Sequence, residues 1–375
     1  MYALNNIHRL PRGQPLRLDF SNHPNPTVRG AYSICHEVEQ RLIDNGALAE
    51  DSDLHKNLIN VRILGHLLSY GPSDVAIVEV ALAIASAENR DARDGGGLAD
   101  LGGCYDNFLL RIFRQFKGRT PVGSHHHSRP SFHATQEEVQ AILKASPLNH
   151  TQAKIAALAR DGYRCVVTGQ MDTNYYEATY LPGEDEEPPT GGNAGLLCDT
   201  ECAHIFAEST NWGISDSQSD KTKYAVNAWS IITRFGYKDI AQVLQGAGVH
   251  SLENVLTLKH DIHRKFDGLK LWFERTSASS NTYRVVTTSV PLWRLMAPEE
   301  VTFESHVPGA AVPNPVYLHL HASCCKVAHM SGASGYHDKL ERQLDYDPAP
   351  DTPAFASGLQ ARLEIISARN MVDPV

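Results

Sequence analysis

The stretch that most restricts this 375-residue chain is Ser251 to Asp267, SLENVLTLKHDIHRKFD. Its first half carries an apolar run of alternating character at Val255, Leu256, Thr257 and Leu258, the pattern of a short strand. Its second half becomes helix-like, and His260, His263 and Asp267 fall at i, i+3 and i+7, on one stripe. An imidazole and a carboxylate four residues apart on one helix face can hold a divalent cation from one side. A second stretch upstream, Glu201 to Phe206 (ECAHIF), adds another imidazole, His204, and another carboxylate, Glu201.

Hydrophobic residues make up 42% of the chain, enough for a buried core, so disorder is excluded for its bulk. The net charge of −9 is unlike that of a protein that coats phosphate backbones nonspecifically. It leaves room for a nuclease whose site is locally basic or neutralised by metal. The seven cysteines form no CxxC pair, which argues against a zinc ribbon. An odd count without a secretory start predicts reduced thiols and an intracellular protein, nuclear or cytoplasmic and not secreted. No apolar run is long enough to predict a membrane span.

Along the chain, residues 1–31 read as strand or coil, with Arg9, Arg12, Arg17 and Arg29 as solvated surface or a phosphate-contacting arm. From Tyr32 to Lys117 the periodicity is helical. One helix spans Leu54 to Tyr70, and another starts behind the N-cap signal Pro72-Ser-Asp and runs from Val75 to Ala87. A further helix runs from Asn107 to Phe116, with Arg111, Arg114 and Lys117 as a basic or merely solvated face. Gly95-Gly-Gly and Gly102-Gly read as loops. Residues 119–134, with the triple His125, His126 and His127, read as a linker. Helices follow at Thr135 to Ala145 and Gln152 to Arg160, then a strand from Tyr163 to Thr168 closed by Gly169. Leu181 to Gly195 reads as an acidic surface loop. Lys221 to Phe235 reads as a helix whose Lys221, Lys223 and Arg234 face either solvent or nucleic acid. Leu269 to Phe273 and Tyr283 to Thr288 read as a hairpin, Pro291 to Pro315 as irregular, Tyr317 to Ser331 as a buried helix, and Leu359 to Met371 as a final amphipathic helix.

Four short motifs occur in order: Cys165-Val-Val-Thr-Gly169, Cys-Ala-His204-Ile, Glu-Asn254-Val-Leu-Thr-Leu, and Asp-Ile-His263-Arg-Lys-Phe-Asp267. Together they resemble an HNH endonuclease domain, most closely the fungal type. The resemblance covers about residues 150–290 and extends more loosely to the helical flanks at 107–121 and 317–340. It implies an α+β protein with a ββα-metal (HNH) hairpin core and helical N-terminal and C-terminal flanking regions. The expected division is 1–118 (helical), 119–134 (linker), 135–290 (nuclease-like) and 291–375 (helical).

By this resemblance His204 is the general base, since an imidazole takes a proton from water near neutral pH. His263 and Asp267 bind the metal, and Asn254 holds the two strands so that the base is aimed. The cofactor implied is a divalent ion, Mg²⁺ first, with Mn²⁺ or Zn²⁺ as alternatives. The partner implied is nucleic acid, DNA ahead of RNA, and no membrane. Many members carry a His or Asp ligand immediately before the base, where this chain has Ala203. Relatives with an Ala-His pair often place an acid three residues before the base, and Glu201 takes that place as a metal ligand. The acidic charge and Ala203 keep a second reading open, a non-catalytic HNH-like scaffold or nucleic-acid-binding module. A third is a structural zinc protein using Cys165, Cys198 or Cys202, each of which also reads as a small buried core residue.

Overall fold

The computed structural model describes residues 12–17, 20, 22–50, 52–89, 91–114, 141–143, 145–180, 195–207, 228–278, 280–288 and 290–345. The linker 119–134 with its three histidines, most of the acidic loop, Arg9, Lys117, Lys221, Lys223 and the helix expected at 359–371 lie outside them. Helices and small sheets together make an α+β chain. By contacts it divides into two units that are discontinuous in sequence. One comprises residues 1–114, 210–241 and 323–375, the other 115–209 and 242–322. Among the described residues no helix is long and apolar enough to cross a membrane.

The first unit is helical. Helix Pro26–Asp44 begins inside the segment expected as coil, because the Asn25 side chain accepts from the Thr27 amide and proline opens the first turn. Helix Asp74–Ser86 starts as expected, its Ser73 hydroxyl accepting from the Ala76 amide. Helix Gly96–Tyr105 overturns the loop reading of the glycine clusters. A β-carbon on Gly102 would run into the Asn60 carbonyl, so this glycine serves a close approach to helix His55–Tyr70 rather than a turn. Beyond it a π-helical turn, Asp106–Leu110, leads to Arg111–Phe113. Arg114 belongs to no solvent-facing basic stripe, being buried in ion pairs with Asp338 at 3.2 Å and Glu341 at 3.0 Å.

The second unit holds the three small sheets. Met171–Asp172 (β1) pairs in parallel with Leu197–Cys198 (β2). Thr200–His204 (β3) pairs antiparallel with Val255–Lys259 (β4), in the register Glu201 to Leu258 and His204 to Val255. Helix His260–Asp267 leaves β4 without a loop. Leu271–Arg275 (β5) and Thr282–Thr287 (β6) form the expected hairpin. A third strand, Glu300–Thr302 (β7), joins β6 from within the stretch expected to be irregular.

The strand expected at Tyr163 to Thr168 is instead a tight turn. Cys165 donates its amide to the Gln170 carbonyl and accepts from the Gly169 amide, with Gly169 at a φ of 71°. The turn is fixed because the Cys165 sulfur accepts the Thr168 amide at 3.5 Å and the Lys259 amide at 3.2 Å, while the Val166 amide bonds the Thr257 carbonyl. These contacts dock the turn on β4.

Two helices cover the β3–β4 pair. Helix His150–Arg160 turns Ala153, Ala156 and Ala157 towards Cys202, Leu252 and Val255, a small-residue face that lets helix and sheet lie close. Its last residue, Arg160, is fully buried. The guanidinium makes a two-pronged pair with Asp161 at 2.6 and 2.8 Å and donates to the carbonyls of Leu252 at 2.6 Å and Val255 at 3.0 Å. Asp161 also accepts the Thr257 amide. Removing one partner of a buried ion pair costs about 3–5 kcal/mol. Arg160→Met therefore lowers the unfolding free energy by about that amount, read as a lower denaturation midpoint in guanidinium chloride.

Candidate active site

Strand geometry sorts the site residues by face. Side chains alternate along a strand, so Thr200, Cys202 and His204 point to one side of β3 and Glu201 and Ala203 to the other. The Cys202 side packs against helix His150–Arg160. The Glu201 side meets helix His260–Asp267. Glu201 thus lies on the same face as Ala203, one residue pair further from the strand end, and reaches the helix where the alanine cannot.

On that face Glu201 bridges two imidazoles. One carboxylate oxygen lies 2.8 Å from His260 Nδ1 and the other 2.6 Å from His263 Nδ1. The opposite ring nitrogen, His263 Nε2, stands 3.3 Å from Asp267 Oδ2, the i, i+4 pair expected from the sequence. The pair is close but off-line for a hydrogen bond, and His263 Nε2 is a buried polar atom without a hydrogen-bond partner. Burial works against charge on both His263 and Glu201, and their mutual contacts outweigh it. Burial pushes His263 down, but the Asp267 and Glu201 carboxylates on either side of its ring raise it to about 9. Burial pushes Glu201 up, but His263 and His260 hold it at about 2. His260 is exposed on the helix surface yet tied to Glu201.

The three expected ligands are therefore neighbours in a chain, Glu201 to His263 to Asp267, on opposite edges of one ring rather than around one point. His263 Nε2 and Asp267 Oδ2 fit a cation: an unpartnered ring nitrogen beside a carboxylate oxygen, at a separation a shared ion would adopt. Glu201 then stands on the far nitrogen, as carboxylates commonly do behind metal-bound histidines.

On the other face His204 is 4% exposed. Its Nε2 lies 3.3 Å from His250 Nδ1. Its ring centroid is 5.5 Å from that of His150. Burial first, then the charges of His150, His250 and His263, lower its pKa to about 3, so the ring is neutral at working pH. One ring nitrogen or sulfur from each of His150, Cys202 and His204 lies within 4.8 Å of the others, the one such His/Cys/Asp/Glu group among the described residues. His150 and His250 were not singled out from the sequence. His150 opens a helix behind the Asn149 cap and His250 precedes Asn254 by four, and neither spacing matches a ligand pattern.

Asn254 joins the two strands. Fully buried, it accepts the Phe206 amide at 2.9 Å and donates to the carbonyls of Phe206 at 3.0 Å and Val249 at 2.8 Å. One side chain thus continues the β3–β4 ladder past His204. Cys165 and Cys198 are buried, and neither belongs to a converging donor group among the described residues.

Strand, strand and helix occur here in the order and spacing of the sequence motifs. Residues 165–274 match the family model described as HNH endonuclease. The match covers under a third of the chain and takes in β1 to β4 and all but the last residue of β5. Comparison with curated proteins gives no match, and neither does comparison with solved structures. Within the HNH stretch lie His204, Asn254, His263, Asp267 and Glu201. His150 lies outside it.

The Glu201–His263 contact gives the HNH stretch a pH signature in metal-free protein. His263 is raised from 6.5, so its contribution to stability is complete below about pH 6.5 and is lost as pH climbs through about 9. Glu201 is lowered from 4.5, so its contribution is present above about pH 4.5 and is lost as pH falls through about 2. Thermal melts should therefore be highest between roughly pH 4.5 and 6.5 as far as this pair is concerned. In an NMR titration of the His263 ring, Glu201→Gln brings the midpoint down from about 9 towards the ordinary histidine value.

Proposed function

We propose that this protein is a divalent-metal-dependent endonuclease that hydrolyses phosphodiester bonds, DNA before RNA, with His204 as general base. The observation that carries the reading is the coincidence of the HNH match with one β3–β4–helix arrangement that presents His204, Asn254, His263 and Asp267. It also supports the ββα-metal reading of this core.

In the proposed mechanism His263 Nε2 and Asp267 would hold the cation. When bound, a divalent ion, Mg²⁺ first, offsets the charge that develops on the phosphate and the leaving oxygen. Glu201 holds His263 by Nδ1 and fixes which ring nitrogen is presented. His204 takes the proton of the attacking water. Its Nε2 lies 3.3 Å from His250 Nδ1; with the proton held on that nitrogen the Nδ1 lone pair is left for the water, and His250 is a positioning residue. An imidazole lowered to about 3 is always neutral and always able to accept, but weak as a base. An anionic phosphodiester beside it raises its basicity as substrate arrives. Asn254 keeps the end of β3 paired, and so fixes the direction of the His204 ring.

The alternative is a scaffold that retains the HNH arrangement without turnover. Ala203 and the burial of His204 favour it. A plasmid-nicking assay in Mg²⁺ or Mn²⁺, with and without chelator, separates the two. The nuclease reading expects metal-dependent nicking that falls at least about 100-fold in a folded His204→Ala protein. It is abandoned if the wild-type protein, folded and metal-loaded, leaves the plasmid intact. Asn254→Ala should differ from His204→Ala by lowering thermal stability as well, by about 1–3 kcal/mol, because it strands buried backbone groups at Phe206 and Val249.

A further inference from the structure

We propose that His150, Cys202 and His204 form a second cation site, selective for a thiophilic ion such as zinc, and that filling it silences the nuclease by occupying the His204 imidazole. The silencing rests on His204 being the base. The site itself does not.

The donors are two imidazoles and a thiol, with their ligand atoms within 4.8 Å of one another. Ligands of one tetrahedral zinc, at bond lengths of about 2.0–2.3 Å, sit roughly 3.3–3.8 Å apart. The group therefore needs to contract by about an ångström. His150 is the residue to supply this, as it is exposed and opens its helix, whereas Cys202 and His204 are fixed on neighbouring positions of the same strand face. The His250 Nδ1 atom lies 3.3 Å from His204 Nε2, the ring nitrogen opposite the one offered to the ion, so water is the candidate for a fourth position.

The chemistry of the set separates it from the first site. The first site offers one imidazole and a carboxylate, whereas this one adds a thiol to two imidazoles, and it is the sulfur that favours zinc, cobalt and similar ions over magnesium. The Cys202 end of the group is apolar, packed among Ala153, Ala156, Ala157, Leu252 and Val255, while the His150 end is exposed. Binding involves no change of oxidation state. The Cys202 thiol releases its proton to solvent, and its sulfur and one nitrogen of each imidazole share lone pairs with the ion. The lone pair that His204 commits to zinc is no longer there for water. The two faces of β3 would then carry opposite instructions, a hard cation on the Glu201 side for activity and a soft one on the Cys202 side for arrest.

Cobalt tests the site without any reference to activity, because a thiolate ligand adds a charge-transfer band to the visible bands of a tetrahedral ion. Wild-type protein titrated with Co²⁺ should give both. Cys202→Ser should lose the thiolate band, and His150→Gln, at an exposed position, should bind at least about tenfold more weakly. In Mg²⁺ nicking assays one equivalent of Zn²⁺ should stop the wild-type enzyme, and His150→Gln should need proportionately more, each judged against its own zinc-free rate. Absence of the thiolate band in the wild-type spectrum, or its survival in Cys202→Ser, overturns the site. A normal band with nicking that zinc leaves unchanged or speeds overturns the silencing. A normal band in a protein that nicks in no metal upholds the site and rejects the nuclease reading together with the silencing built on it.

Discussion

The site depends on a single buried cation, the guanidinium of Arg160. Its charge is balanced by the adjacent Asp161, and its remaining donors reach the carbonyls of Leu252 and Val255. Those two carbonyls bracket Asn254, and Asp161 itself accepts the Thr257 amide of β4. One ion pair at the end of a helix therefore fixes the backbone on both sides of the residue that closes the β3–β4 ladder. Such an interaction contributes little net energy against an apolar filling of the same shape. What it supplies is position: the start of β4 has one place to lie, and His204 is opposite that place in the register.

What the chain revealed beforehand was its local patterning. The His263–Asp267 stripe needs only helical periodicity, and the Ser73 cap needs only the residue type and its place, so both were readable. Helix Gly96–Tyr105 was not, because a glycine that admits a neighbouring backbone and a glycine that turns a loop look the same in a sequence. The turn at Cys165 to Gly169 was misread as a strand for a related reason. Its conformation is set by amides donated from Lys259 and from its own Thr168 to the cysteine sulfur, and the first of these lies across the fold. Arg160 carries no sequence signal beyond being a basic residue in a last helical turn. Its carbonyl partners are more than ninety residues away, as the Leu252 and Val255 bonds record. His150 and His250 were invisible because each is a lone histidine until folding brings it to His204.

The period of two in a β-strand also gives the site its electrostatic layout. Glu201 and His204 are three residues apart and so face opposite ways. The carboxylates gather on one side, where they raise the basicity of His263. Imidazoles and a thiol gather on the other, where burial suppresses charge on His204. A single strand thus separates an acid-rich side from a nitrogen- and sulfur-rich one. The His263 charge is still sensed by His204 across it.

The discontinuity of the two units has a practical side. Residues 210–241 lie between the halves of the HNH stretch yet belong with the N-terminal helices. There the Phe235 ring stacks on Tyr105 at 6.1 Å and its carbonyl accepts from Ser73. No pair of cuts flanking the HNH stretch yields that unit alone. A fragment excised at its borders would carry Trp229, Ile232 and Phe235, all buried in the whole protein, into water. Poor solubility of such a fragment would report a severed core, not an unstable HNH stretch. Expression of the intact chain, or replacement of the excursion by a short polar linker, is the route by which this fold can be dissected.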